Sequence, residues 1–141
     1  MLIDANVLVY AVDSESPQHG RAVEFLETAL NGHRRVALPW QSLTAFLRLT
    51  THPRVSLRPL TAPEAWSFVA AWLAADPVWI PESTRRTASI LGELLGRTHV
   101  TGNLIPDAAL AALALEHGLT IVTNDADFAR FDVPVLNPFA D

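Results

Sequence analysis

Short apolar runs separated by stretches of helical periodicity constrain this chain more than any other feature. The runs are Leu2-Ile3, residues 35–38, 78–80, 119–123 and 133–136. Runs this short and this apolar read as strands buried on both faces, and intervening helices imply parallel crossovers. The pattern predicts an α/β chain: a central, mostly parallel sheet of four to five strands, covered by helices on both sides. At 141 residues it is the size of one domain, and residues 1–141 are read as one. No repeat, low-complexity tract or long linker interrupts it.

Local signals place the helices. Asn6 to Val12 is a short apolar turn, and Pro17 opens a helix to about Leu30, where Asn31-Gly32 ends it. Pro39 to about Thr51 is helical, with Leu43, Phe46, Leu47 and Thr50 on one face; His52-Pro53 stops it. Thr61, with Glu64 three residues on, predicts a capping box for a helix through Ala75. Thr84 to about Arg97 follows, with Ile90, Leu91, Leu94 and Leu95 inward. Pro106 starts a helix that runs to His117 and stops at Gly118. Ala126 to Arg130 makes one or two further turns.

In open parallel sheets, sites form outside the carboxyl ends of the strands. Asp4 directly follows the first strand. Asp125 and Asp127 follow the fourth, in Thr-Asn-Asp-Ala-Asp-Phe, and Asp107 lies in the first turn of the helix that feeds it. If those two strands are neighbours, the carboxylates converge. Like charges packed that closely raise one another's pKa unless a cation lies between them. Oxygen ligands without nearby histidine or cysteine suit magnesium or manganese. Such a site activates water and holds a phosphodiester for in-line attack. Each acid also has a plainer role: Asp4 and Asp125 as helix caps, Asp107 and Asp127 as first-turn acids. Their joint placement favours the metal site.

Composition narrows the rest. There is no cysteine, which removes disulfide scaffolds, thiol catalysis and cysteine zinc sites and fits a reducing cytoplasm. The opening MLIDANVLVY lacks a basic region and a cleavage site, so it is not read as a secretory signal. No apolar run is long enough for a membrane span. All ten basic residues are arginine, against fifteen acids, and a net charge of −5 argues against general nucleic-acid coating. A bound cation can still meet a substrate phosphate.

MLIDANVLVY, the stretch Asn103-Leu-Ile-Pro-Asp-Ala and Thr123-Asn-Asp-Ala-Asp-Phe together resemble the PIN-domain family. Within it the chain is similar to VapC-type toxins of bacterial type II toxin–antitoxin pairs, as is the stretch Trp40 to Val55. The resemblance implies a three-layer α/β/α PIN-like fold and a magnesium- or manganese-dependent endoribonuclease. It implies Asp4, Asp107 and Asp125 as catalytic and metal-binding acids, Asp127 as a further or water-mediated ligand, and Asn6 and Thr123 as supports. Transfer or ribosomal RNA as substrate, a cognate antitoxin and a homodimer follow from the same likeness; the cytoplasmic setting rests on the absence of cysteine.

One departure stands out. The family's glutamate on the helix after the second strand falls on Ala45, which cannot bind a metal; Glu82 is an acid in a different loop and is not assigned to the site. This opens a second reading, a catalytically weakened domain that binds RNA or protein without cutting. A third is another metal-dependent phosphoryl hydrolase on the same carboxylates.

Other residues carry less. The five histidines are scattered, Ser42 and Ser83 lack a nucleophile motif, and Gly92 to Gly96 is helix spacing. Arg48, Arg85, Arg86 and Arg97 read first as solvated helix residues. Trp66 and Trp72 share one helix with Phe68, Val69 and Leu73, more apolar surface than one buried face needs; a dimer contact or an antitoxin groove would use the excess.

Overall fold

The computed structural model describes all 141 residues. Strand β1 (Leu2–Ile3) leads into helix α1 (Ala5–Val12), then α2 (His19–Leu30). Strand β2 (Val36–Ala37) precedes α3 (Trp40–Thr51) and α4 (Ala62–Leu73). Strand β3 (Val78–Trp79) and α5 (Arg85–Thr98) follow, then a 3-10 turn (Gly102–Leu104) and α6 (Ile105–Glu116). Strand β4 (Ile121–Val122), a 3-10 helix (Ala126–Phe131) and β5 (Val135–Leu136) complete the chain. The five strands lie in the order β3-β2-β1-β4-β5 and every pairing is parallel.

Alternation along the strands builds the three layers. Leu2, Ala37 and Ile121 face one side, where α6 and the 3-10 helix bring Ala111, Leu113, Phe128 and Phe131. Ile3, Val36, Leu38 and Val122 face the other, against Leu8, Leu26, Phe46, Val69 and Trp72 from α1 to α4. Phe46 is wholly buried and meets Trp72 edge-on, with ring centroids 4.9 Å apart. Truncating it to alanine would cost about 3–5 kcal/mol, from lost transfer energy plus the cavity left behind. Helix α6 is apolar almost all round because the sheet and α5 enclose it; its alanines allow close approach.

The predicted punctuation is present. Thr61 and Glu64 form the capping box of α4. Pro106 lies in the first turn of α6, and Gly118 takes the left-handed conformation just beyond it, at φ +64°. Boundaries shift by small amounts. Helix α2 starts at His19 and not at Pro17, because Ser16 and Asp13 organise a turn there that holds Pro17 outside. Helix α4 ends at Leu73, two residues short of Ala75. No helix is long and apolar enough to cross a membrane.

Candidate functional site

Strand β1 is the middle of the sheet and β4 is its direct neighbour, so both deliver their following residues to one edge. Asp4 caps α1: its Oδ1 accepts from the backbone N–H of Ala5 at 2.7 Å. Its Oδ2 accepts from Asn6 Nδ2 at 3.0 Å and from Thr123 Oγ1 at 2.7 Å. Thr123 is fully buried, and its hydroxyl also accepts from Asn6 Nδ2 at 2.9 Å and from the Asp125 N–H at 3.0 Å. Asn6 Oδ1 in turn accepts from the Asn124 N–H at 3.2 Å. The supports predicted for this carboxylate therefore hold it from both strands.

Asp125 caps the 3-10 helix, its Oδ1 accepting from the Asp127 N–H at 2.8 Å. Asp127 is paired with Arg130 at 2.7 Å, a partner one helical turn away. Asp107 lies in the first turn of α6, partly buried. Burial, followed by the charges of Asp125, Asp4 and Asp127, pushes its pKa up to about 6. Burial also raises Asp4, with Asp125 adding to the effect and the Thr123 and Ala5 hydrogen bonds opposing it. Asp107 thus feels the charges of Asp4, Asp125 and Asp127, and Asp4 that of Asp125 from 121 positions away in the sequence.

Sensing is not yet ligation. No group of three histidine, aspartate or glutamate side chains stands close enough to hold a metal ion. Arg130 holds Asp127, and the cap bond anchors Asp125. The donor set nonetheless fits a hard divalent cation in kind, since it is all carboxylate and only Asp127 has a cationic partner. A carboxylate oxygen that accepts one hydrogen bond keeps a lone pair for a metal. Both the capping role and the ligand role are therefore open to Asp4 and Asp125 together.

A family model described as the PIN domain matches residues 1–134. The chain belongs to the PIN-domain family. Within it, this PIN domain groups with the VapC ribonucleases. It is 44% identical over 131 residues to Ribonuclease VapC37 of Mycobacterium tuberculosis, covering 93% of this chain and 91% of that one. It is 37% identical over 128 residues to Ribonuclease VapC33 of the same species, covering 91% and 90%. Among solved structures, the fold matches M. tuberculosis VapC20, a Sarcin-Ricin loop cleaving toxin, at TM-score 0.71 and 18% identity, covering 94% and 95%. It matches VapBC2 from Rickettsia felis, solved with a promoter DNA fragment, at TM-score 0.66 and 22% identity, covering 96% of each chain. The three-layer PIN fold read from the sequence is the observed one.

Ala45 lies half-buried on α3 and brings no acid, while Glu82 is exposed in the loop after β3. Two participants escaped sequence reading. Arg130 was legible in principle, three residues from Asp127. Asn124 was not: its bonds to Asn6, Asn137 and Tyr10 depend on the way β4, β5 and α1 meet.

Proposed function

We propose that this PIN domain is a divalent-metal-dependent endoribonuclease toxin that hydrolyses RNA phosphodiester bonds and is neutralised by a cognate antitoxin. The observation that carries it is the placement of Asp4 and Asp125 at one sheet edge, joined through Thr123, with Asp107 near enough to feel their charges. Its weight comes from 44% identity to a ribonuclease.

Asp4, Asp107 and Asp125, with Asp127 directly or through water, would hold a magnesium or manganese ion. Bound there, such an ion lowers the pKa of a coordinated water and offsets phosphate charge. Thr123 and Asn6 fix Asp4 by donating to one oxygen, so its carboxylate keeps its orientation. Arg130 neutralises Asp127 and limits the negative field that an approaching phosphate meets. With a net charge of −5, the chain must attract RNA locally and not over its whole surface. The substrate class is structured RNA, transfer or ribosomal, met in the cytoplasm.

The protein partners are the antitoxin and a second copy. Trp66 and Phe68, 46% and 40% exposed on α4, offer apolar surface of the kind such partners cover. A toxin–antitoxin complex from Klebsiella pneumoniae shares this fold, and that is the type of complex proposed here.

The test is cleavage of RNA by purified protein with added magnesium or manganese. Asp4→Asn should abolish cutting while folding survives, because asparagine keeps an acceptor for Ala5. An Asp4→Asn protein that cuts as fast as the unsubstituted one would overturn the site assignment. Ala45, and the lack of three closely grouped ligands, favour one second reading: a weakened domain that binds without cutting. It predicts no cleavage at any manganese concentration with RNA or protein binding intact.

A further inference from the structure

Beside the acidic edge lies a wide-mouthed cleft of about 650 Å³, walled by the start of α3 and the loop after β3. We infer that it receives one unpaired nucleobase of the RNA substrate, stacked on Trp40. The inference rests on the ribonuclease reading for the identity of the ligand, and names a specificity subsite within it.

Register fixes where the cleft lies. Leu2 pairs with Ala37, Ala37 with Trp79, and Ile3 with Val122. Continuing these ladders by one or two residues sets Thr123, Asp4, Pro39 and Pro81 in one row across the sheet. The bonds from Asp4 N to Val122 O at 3.0 Å and from Leu38 N to Trp79 O at 2.9 Å extend the ladders that way. Neighbouring strands are about 4.8 Å apart, so the backbone at Pro81 is about 10 Å from that at Asp4. The cleft therefore opens at the same edge as the acids, within reach of one strand of RNA that crosses both.

Its chemistry suits a base and not a phosphate. Trp40 is 46% exposed although it opens a helix whose other large apolar residues are inward. Its backbone is fixed: Thr44 Oγ1 donates to the Trp40 carbonyl at 2.7 Å. Gln41 and Ser83 approach across the mouth at 3.5 Å, and both can serve a base edge. Glu82 adds a carboxylate to the lining, which repels phosphate but accepts from amino and imino N–H groups of cytosine or guanine. An aromatic face flanked by amide, hydroxyl and carboxylate groups is the composition that single-stranded recognition uses.

The opposite wall is held still. His117 Nε2 lies 3.0 Å from the Glu82 carbonyl, and its ring meets Trp79 edge-on at 5.4 Å. Arg35 covers the Trp79 ring at 4.6 Å. Glu116 accepts from Thr84 and Thr87 and ties α6 to the start of α5. A base enters a preformed slot and does not have to order a loop, so little affinity is lost to conformational entropy.

The test is binding of Asp4→Asn protein, in magnesium, to a fluorescent single-stranded RNA of mixed sequence and to the same RNA fully paired. Adding Trp40→Ala or Trp40→Leu should weaken single-strand binding by roughly 5- to 150-fold, the range for one lost stacking contact. Trp40→Phe should recover most of it, and duplex binding should stay level in all three. Single-strand affinity unchanged in Trp40→Ala would overturn the inference and leave the cleft to a protein partner. Equal weakening of both forms, or no single-strand binding at the outset, would overturn it too. Cleavage by the unsubstituted protein is scored separately: RNA that is bound through Trp40 but never cut removes the ribonuclease reading and leaves the base site standing.

Discussion

Thr123 Oγ1 donates to Asp4 Oδ2 at 2.7 Å, joining the ends of two adjacent strands whose residues lie 119 positions apart. The same hydroxyl accepts from Asn6 and from the Asp125 N–H, so its one donor and two acceptor sites are all in use. Thr123→Val keeps the shape and removes every one of these bonds. We expect a loss of about 1–3 kcal/mol in urea unfolding, because the partners left behind are buried or half-buried. RNA cleavage should fall with it. Thr123→Ser should restore both.

Asp107 gives a pH dependence of defined sign. Its folded pKa, about 6, lies above the ordinary 3.8, so the native state binds more protons than the unfolded chain between those values. Stability without metal should therefore decline as pH rises from about 4 to 6 and stay reduced above that. Asp4, also raised, acts in the same direction. Thermal melts in EDTA at pH 4.5 and 7.5 check the effect. Asp107→Asn should flatten the dependence and raise the melting temperature at pH 7.5, although it removes a first-turn acid. Added manganese should stabilise the unsubstituted protein more at pH 7.5 than at pH 4.5.

Arg130 competes for a carboxylate. Its guanidinium holds Asp127 at 2.7 Å in a partly exposed pair. Arg130→Ala should tighten manganese binding by about two- to five-fold, the scale of an exposed ion pair, and the gain should shrink in high salt. Isothermal titration at two salt concentrations reads both. Unchanged binding in the variant would mean that Asp127 takes no part in holding the ion.

Thr61→Ala serves as a control away from the acids. It removes a capping box in which the Thr61 hydroxyl accepts from the Glu64 N–H at 3.2 Å. The expected cost is about 1 kcal/mol. Per-molecule cleavage, measured well below the melting temperature, should not change.

What the sequence made legible follows from short-range physics. Short apolar runs gave the strand positions, and caps such as Thr61 and Gly118 gave helix ends to within two residues. Strand order was left conditional, because it depends on packing between elements far apart in the chain. The β1–β4 pairing that supplies it also brings Asp4 to Thr123. On α4, Trp66 and Trp72 are six positions apart, which at 100° per residue sets them on different faces; one is exposed and the other buried. That contrast was readable from spacing. The partner of Asp127 and the tilt of Trp40 into a cleft were not, since both depend on side-chain direction and not on spacing.

Strand β1 is made first, yet one of its two neighbours, β4, is made near the end. Asp4 therefore waits for Asp107, Thr123 and Asp125 until most of the polypeptide has left the ribosome. A chain still being translated carries no assembled acidic edge. Parallel pairing at long sequence separation is also slow to form. For a protein that destroys RNA, late closure of the sheet gives the cell an interval in which a partner can be waiting before the first cut.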